Sequence, residues 1–141
     1  MGTARGTTVL VVEDEAIIAL AEKLALEDQG YRVVVAYSGE AALELTAGGV
    51  RFDLVLMDVT LGTGMDGVET ARIILACREV PILFLSSLPL DEIRRRTKQL
   101  KRIRHICKPC STERLVKAIR SVTDASEPER EEVARWMPAR K

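Results

Sequence analysis

Aromatic rings, net charge and long apolar runs are all scarce in this sequence of 141 residues. Phe, Trp and Tyr make up 4% of it, and there is a single histidine. Basic and acidic residues number 21 each, so no overall charge directs the chain to nucleic acid or to a membrane. No apolar run approaches the roughly 18 residues of a membrane span, and the start lacks the apolar core of a signal peptide. We therefore expect a soluble protein of the cytoplasm.

Cysteine is also scarce, and the three thiols are those of Cys77, Cys107 and Cys110. An odd number argues against a disulfide framework. Cys107 and Cys110 have the spacing of a redox pair, but such pairs lie at the amino terminus of a helix early in the fold. This pair straddles the end of the last predicted strand, and we interpret all three as structural thiols.

Apolar periodicity divides the chain into alternating strands and helices. Strands are predicted at 8–12, 31–36, 53–57, 82–85 and 103–107, and helices at 16–28, 40–47, 68–77, 90–100 and 112–122. The spacing of Ile17, Leu20, Ala21, Leu24 and Leu26 is typical of a helix face that packs on a core. Five strands alternating with five helices predict an α/β fold, a doubly wound five-stranded parallel sheet in a single domain.

This domain is expected to span residues 8–123. A tail of residues 1–7 precedes it, and a charged extension follows at 124–141, where Val133, Trp136 and Met137 allow a helix. Ser38, Asp66 and Ser111 are predicted to cap three of the helices, because short polar side chains accept hydrogen bonds from the first free amides of a helix.

Charged residues follow three of the predicted strands. Glu13 and Asp14 come after the first strand, Asp58 after the third and Lys108 after the fifth. Parallel strands end at one edge of a sheet, where open α/β folds bind their ligands. Carboxylates and a lysine that converge there predict a site for a divalent metal and a phosphate group. The structural alternatives are a helix cap at Asp14 and a solvated charge at Lys108.

Five short motifs resemble those of the receiver domains of two-component response regulators. They lie at residues 11–15, 56–58, 65–67, 84–87 and 108–109, each at a strand or helix end. The resemblance covers about residues 7–123 and is closest in kind to stand-alone, chemotaxis-regulator-like receivers. It implies a flavodoxin-like sheet with strand order 2-1-3-4-5. It also implies a cis peptide between Lys108 and Pro109.

The resemblance implies a role for each residue of the site. Asp58 would be the phosphoacceptor, and Lys108 and Ser86 would contact the phosphoryl oxygens. Mg²⁺ would be bound by Asp14, Asp58 and the backbone carbonyl of Thr60, with Glu13 acting through water. Such a protein would not be an enzyme in the usual sense, because it would catalyse only its own phosphorylation and dephosphorylation.

The chain departs from the receiver pattern at three places. His105 stands where an aromatic switch residue is usual, and as a histidine it is expected to titrate near neutrality. We treat its switch role, with Ser86, as a hypothesis beside the alternative of a half-exposed strand residue. The loop at 59–65 is one residue longer than the commonest form. Leu88, two residues after Ser86, is expected to hinder the hydrolytic water and lengthen the lifetime of the phosphoryl group.

Basic residues crowd the predicted fourth helix and its exit. They are Arg94, Arg95, Arg96, Lys98, Lys101, Arg102 and Arg104. Nucleic acid is disfavoured, because no aromatic residue lies among them. The alternatives are a solvated helix face and a protein-binding surface, including a homodimer through the fourth helix, fifth strand and fifth helix. Glu127, Glu129, Glu131 and Glu132 in the extension could pair with this run.

We interpret the chain as a phosphorylation-controlled switch whose phosphodonor is a histidine kinase or a histidine phosphotransfer protein. Transfer of the phosphoryl group would change a protein-binding surface, for a target that the sequence does not name. One alternative is a phosphotransfer intermediate that passes the group to a second histidine protein. Another is an adaptor independent of phosphate, which would need none of Asp14, Asp58 and Lys108.

Overall fold

The computed structural model describes residues 6–124. Residues 1–5 and 125–141 lie outside the described part, and so does nearly all of the predicted C-terminal extension. Among the described residues, no helix is both long and apolar enough to cross a membrane.

A five-stranded parallel sheet forms the centre of the molecule, as the sequence predicts. Its strands are β1 (Thr8–Val12), β2 (Arg32–Ala36), β3 (Leu54–Asp58), β4 (Ile82–Ser86) and β5 (Ile103–Cys107). They lie in the order β2-β1-β3-β4-β5. β1 and β5 have the predicted bounds, and the bounds of β2, β3 and β4 differ from the predicted ones by one residue at four ends. The order confirms the flavodoxin-like topology, which reverses direction between β1 and β3.

The register of the strands aligns their carboxyl ends. Val12 pairs with Met57, Asp58 with Leu85, and Ser86 with Cys107. The residues that follow β1 and β5 therefore lie beside the last residues of β3 and β4. This register places Glu13, Asp58, Ser86 and Lys108 at one edge of the sheet.

Five helices cover the sheet: α1 (Ala16–Asp28), α2 (Gly39–Ala47), α3 (Gly67–Cys77), α4 (Leu90–Thr97) and α5 (Thr112–Thr123). The side chains of Ser38, Asp66 and Ser111 accept amide hydrogen bonds at the starts of α2, α3 and α5, which confirms the three predicted caps.

The fourth helix is shorter than the predicted 90–100 because it ends at Thr97. The Thr97 hydroxyl donates to the Ile93 carbonyl, and a turn follows in which the Leu100 amide donates to the Thr97 carbonyl. Arg102 then adopts a left-handed backbone with φ of 64° before β5 begins. The helix therefore ends three residues before its predicted end, in a turn that the sequence did not reveal.

The core is divided between the two faces of the sheet. On one face, Val55, Met57 and Phe84 pack against α2, α3 and α4. On the other face, Leu54, Leu56 and Leu83 pack against α1 and α5. Burial on both faces explains why the strands are continuous apolar runs rather than alternating ones.

The predicted apolar face of α1 is confirmed at Leu26 and wrong at three of its other positions. Ile17, Leu20 and Leu24 are 84%, 54% and 55% exposed, whereas Ala19 and Leu26 are fully buried. Most of the helix is apolar, so its periodicity does not define one inward face. The small side chain of Ala19 allows α1 to lie close to the sheet, and this turns the three larger side chains outward.

Candidate functional site

Three carboxylates meet at the carboxyl edge of the sheet. One side-chain oxygen from each of Glu13, Asp14 and Asp58 lies within 4.8 Å of the others. Asp14 is exposed, whereas Glu13 is only 2% exposed. Asp14 is not the cap of α1, because Glu15 holds that position. Three converging carboxylates offer only oxygen ligands, which is the donor set that Mg²⁺ prefers, so these residues fit that ion.

Glu13 is the most deeply buried of the three carboxylates. Burial raises the pKa of its carboxyl group to about 7, and the nearby Asp58 contributes to the rise. The Glu15 amide donates a hydrogen bond of 3.1 Å to Glu13 Oε2, and this bond and the charge of Lys108 oppose the rise. Burial, more than the charge of the neighbouring groups, therefore sets the pKa of Glu13.

Lys108 is the cation of the site. Its Nζ atom lies 3.5 Å from Asp58 Oδ2 and 3.6 Å from Glu13 Oε1. Burial alone would lower the pKa of Lys108, but Asp58, Glu13 and Glu22 together raise it above its usual value. The peptide between Lys108 and Pro109 is cis, as expected. The Lys108 amide donates to the Ser86 carbonyl, which joins the ends of β4 and β5.

The loop after β3 is shaped by glycine. Gly62 has a φ of +66°, and a Cβ atom there would lie 2.9 Å from Asp14 Oδ2. At Gly67, the first residue of α3, a Cβ atom would overlap the Asp58 carbonyl oxygen. The Thr60 amide donates a bond of 3.2 Å to Asp58 Oδ1. The loop and the start of α3 therefore fix both the backbone and the carboxylate of Asp58.

Ser86 ends β4 as a buried hydroxyl beside this group. Its Oγ atom accepts a bond of 3.0 Å from the Leu88 amide. That bond uses a lone pair of the hydroxyl and not its hydrogen. Ser86 can therefore still donate to an acceptor above Asp58.

His105 lies in β5 with its ring stacked on Phe84 at 5.8 Å between centroids. Its Nε2 atom is 3.3 Å from the hydroxyl of Thr97. Thr97 uses its only hydroxyl hydrogen on the Ile93 carbonyl, so His105 must donate through Nε2–H and Nδ1 carries no proton. Burial, with a smaller effect of Arg94, lowers the pKa of His105 to about 4. The expectation that His105 titrates near neutrality is therefore wrong.

None of the three cysteines is a buried core residue, so their interpretation as structural thiols is wrong. All three thiols are free, and Cys107 is exposed. Burial raises the pKa of the Cys110 thiol, which disfavours the thiolate that redox chemistry needs.

Two residues near the site were missed by the sequence reasoning. Thr97 fixes His105, and Glu22 of α1 lines a cleft of about 480 Å³ with Lys108 and Pro109. Burial raises the pKa of Glu22 to about 7. A signal for Glu22 exists in the sequence, since it lies on the helical spacing of the buried Ala19 and Leu26. Thr97 gave none.

The model of the response regulator receiver domain matches residues 9–120 of this chain. The chain belongs to the response regulator receiver domain family. It is therefore a receiver domain of two-component systems, whose members are signalling phosphoacceptors rather than classical enzymes.

Similar proteins agree with this assignment. The transcriptional regulatory protein PdtaR of Mycobacterium tuberculosis is 34% identical over 112 residues, which are 79% of this chain and 54% of that protein. The N-terminal domain of a response regulator/sensory box/GGDEF protein from Carboxydothermus hydrogenoformans is 32% identical, with a TM-score of 0.78 over 84% of this chain and 94% of that domain. Vibrio cholerae chemotaxis protein CheY4 is 29% identical, with a TM-score of 0.76 over 82% of this chain and 98% of its own.

The receiver spans only part of its curated relatives. It covers 54% of PdtaR and 32% of the phyllosphere-induced regulator PhyR of Methylorubrum extorquens. The activities and partners of those whole proteins are therefore not transferred to it.

Proposed function

We propose that this receiver accepts a phosphoryl group on Asp58 from the phosphohistidine of a histidine kinase or histidine phosphotransfer protein. The observation that carries the proposal is the convergence of Glu13, Asp14 and Asp58 with the Lys108 ammonium at one sheet edge. An adaptor that acts independently of phosphate needs neither the three carboxylates nor the Lys108 ammonium, so their convergence favours a phosphoacceptor.

The transfer is a substitution at phosphorus. An oxygen of Asp58 forms the new P–O bond while the P–N bond to the donor histidine breaks, and the imidazole leaves with the electron pair of that bond. Both reactants are anionic, so their approach needs positive charge. The Lys108 ammonium is 3.5 Å from Asp58 Oδ2 before transfer and is positioned to contact the phosphoryl oxygens afterwards.

Mg²⁺ is the cofactor that we propose. Asp14, Asp58 and the backbone carbonyl of Thr60 would bind it, with Glu13 acting through water. When bound, it neutralises charge on the transferring group. The receiver's own residues orient the acceptor: the Thr60 amide holds Asp58 Oδ1 and leaves Oδ2 toward Lys108.

We propose that Ser86 and His105 report the phosphorylated state. A phosphoryl oxygen on Asp58 offers the Ser86 hydroxyl a strong acceptor. Movement toward it breaks the bond between Ser86 Oγ and the Leu88 amide, which lies at the start of the segment leading to α4. The ring of His105 is bound to α4 through Thr97, so both contacts link the site to that helix.

Incubation with acetyl phosphate and Mg²⁺, followed by measurement of the intact mass, tests the proposal. We expect the native protein to gain one phosphoryl group and the isosteric variant Asp58→Asn to gain none. The variant Asp53→Asn is the matched control, because Asp53 lies just before the other end of the same strand, where it accepts from the Thr8 amide. The proposal fails if Asp58→Asn is still phosphorylated or if the native protein is not.

The phosphotransfer intermediate stays the alternative prediction of the sequence. The location in the cytoplasm also stays a prediction. A homodimer through α4, β5 and α5 is one option for the output.

A further inference from the structure

The side of α1 that faces away from the sheet is apolar. Ile17, Leu20 and Leu24 are each more than half exposed, and their spacing of three and four residues places them on one side of the helix. Single exposed apolar side chains are common on soluble proteins, but a contiguous group of them is the usual sign of a contact site. We define Ile17, Leu20 and Leu24 as the outer face of α1.

The outer face continues into the cleft of about 480 Å³ that lies between α1 and α5. Ile18 and Ala21 line the α1 side of this cleft, and Leu115 lines the α5 side. Ala21 lies one helical turn from both Ile17 and Leu24. The apolar surface therefore runs without interruption from the outer face of α1 into the cleft.

One carboxylate in the cleft has no partner. Glu22 lines the α1 side, and across residues 6–124 its carboxylate forms neither an ion pair nor a hydrogen bond. Burial raises its pKa to about 7, and the charge of Lys108, which lies beyond the distance of an ion pair, opposes the rise. The cleft therefore offers apolar contacts along its walls and one place for a cation.

The chain leaves α5 beside the end of α1. Burial raises the pKa of Tyr31, and the charges of Arg120 and Asp124 act on it in opposite directions, so the end of α5 lies near this side chain. The Tyr31 amide donates to the carbonyl of Leu26 in the last turn of α1. The segment of residues 125–141 therefore begins next to the outer face of α1.

This segment is long enough to cover the outer face. As a helix, residues 125–141 would extend about 25 Å, whereas Leu24 and Ile17 are about 10 Å apart along α1. A tethered segment also needs only a small contact, because the chain holds it near the surface at an effective concentration on the order of mM.

The composition of the segment matches this surface. The helix predicted for it lies outside the described residues, and its apolar side consists of Val133, Trp136 and Met137. Their spacing of three and four residues is that of a single helix face. Arg130 precedes Val133 by three residues and falls on the same face, so an apolar group and a cation are presented together. These are the two kinds of contact that the outer face and the cleft offer.

Other arrangements are less well supported. A stable interface between separate chains takes about 20–30 residues on each side, which is more than the outer face and the cleft provide. The acidic residues of the segment could instead pair with the basic residues of α4. That helix packs on the opposite face of the sheet from α5, so the segment would have to pass around the β5 edge to reach it.

We propose that residues 125–141 dock on the outer face of α1 and in the adjoining cleft. Val133, Trp136 and Met137 contact the apolar side chains, and Arg130 pairs with Glu22. The docked segment covers α1, so a protein that binds this helix must first displace it. The docking does not depend on phosphorylation of Asp58.

Trp136 is the only tryptophan of the chain, so its fluorescence reports where the segment lies. The test measures quenching of this fluorescence by acrylamide in the full-length protein, with the urea-unfolded chain as the upper limit. We expect the double variant Leu20→Ser, Leu24→Ser to raise the quenching constant about twofold or more and to shift the emission to longer wavelength, because the segment loses its apolar contacts.

The matched control is Val50→Ser, Leu90→Ser. Both side chains are exposed and apolar, and both lie outside α1 and the cleft, so the quenching constant should stay that of the native protein. The reciprocal variant Val133→Ser, Met137→Ser lies outside the domain of residues 8–123 and leaves its core unchanged. It should raise the quenching constant as much as the α1 variant does.

A charge exchange tests the contact in the cleft. Glu22→Arg should raise the quenching constant because two cations then oppose each other, and Arg130→Glu should do the same with two carboxylates. The double variant that carries both changes should return to the native value. Failure of this rescue would overturn the pairing of Arg130 with Glu22.

Four results would overturn the docking itself. The native protein could be quenched as strongly as the urea-unfolded chain, or the control could change as much as the α1 variant. Quenching that rises in Arg94→Glu, Lys98→Glu but not in the α1 variant would place the segment on α4. Protection of Trp136 that grows with protein concentration would make a second copy the occupant.

Discussion

Single residues of this receiver show that the surroundings of a side chain decide its chemistry. Glu13 and Asp14 are neighbours in the chain, yet one is buried and the other is exposed. Burial favours the neutral form of an acid and of a histidine alike, so it raises the pKa of Glu13 and lowers that of His105. The sequence identified both residues but not their burial, and it therefore predicted the wrong titration range for His105.

The low pKa of His105 predicts a loss of stability at mildly acidic pH. Between pH 7 and 5, an unfolded His105 with the ordinary value of 6.5 gains a proton, whereas the folded one stays neutral down to about 4. The unfolded state then binds more protons and is favoured as the pH falls. With allowance for partial exposure, we expect this residue to remove about 1–2 kcal/mol from the free energy of unfolding.

Urea unfolding of the native protein and of His105→Phe, each at pH 7 and 5, measures this loss. The phenylalanine variant retains the stacking on Phe84 and has no titrating group, so its stability should fall less over the same range. Equal changes in the two proteins would show that His105 is not held neutral by the fold. Comparison of the two also cancels the opposite contributions of Glu13 and Glu22, whose raised pKa values favour the folded state as the pH falls.

At the scale of elements, the inward face and the start of a helix depend on how closely the neighbouring elements approach it. The end of α4 and the inward face of α1 both differ from the sequence prediction, whereas every predicted helix and strand exists. Periodicity detects an element because it needs only local spacing. It does not decide between two apolar faces of α1, because that choice depends on which side chains fit against the sheet.

The orientation of α1 predicts that substitution of Leu20 changes stability little and that substitution of Leu26 lowers it strongly. Leu20→Ser should change the free energy of unfolding by no more than about 1 kcal/mol, because Leu20 is already 54% exposed. Leu26→Ala should cost about 2–5 kcal/mol, because it leaves a cavity in a buried cluster. Urea unfolding of both variants measures this, and a larger loss for Leu20→Ser would contradict the orientation of the helix.

The contact between Gly67 and the Asp58 carbonyl predicts that the start of α3 controls the acceptor. Gly67→Ala must displace either the helix or the Asp58 backbone, at a cost of about 1–3 kcal/mol of stability. We expect the rate of phosphorylation by acetyl phosphate to fall at least tenfold, because the acceptor carboxylate moves with its backbone.

Gly49→Ala is the control for this prediction. Gly49 also resists substitution, with a φ of +95°, but a Cβ atom there meets no neighbour. It should therefore lose stability and keep its phosphorylation rate. A Gly67→Ala protein phosphorylated as fast as Gly49→Ala would contradict the control of Asp58 by α3.

At the scale of the whole molecule, the sequence predicted the architecture and the meeting of the charged groups for one physical reason. Parallel strands that alternate with helices must end at a common edge, so residues that follow separate strands are brought together without further information. Glu13, Asp58 and Lys108 met as expected. The bond between His105 and Thr97 joins a strand to a helix through side chains alone, and no local pattern encodes it.

The separation of acidic and basic residues also determines how this receiver behaves before it touches anything. With a formal net charge of zero at pH 7, it hardly migrates in an electric field, yet the field exerts a torque on it. In the described part of the molecule, acidic side chains outnumber basic ones before α4 and basic ones outnumber acidic ones from α4 onward, so it carries an electric dipole. A charged partner that diffuses toward it turns it during the approach, and dilute salt preserves this orienting force over a longer distance than physiological salt does.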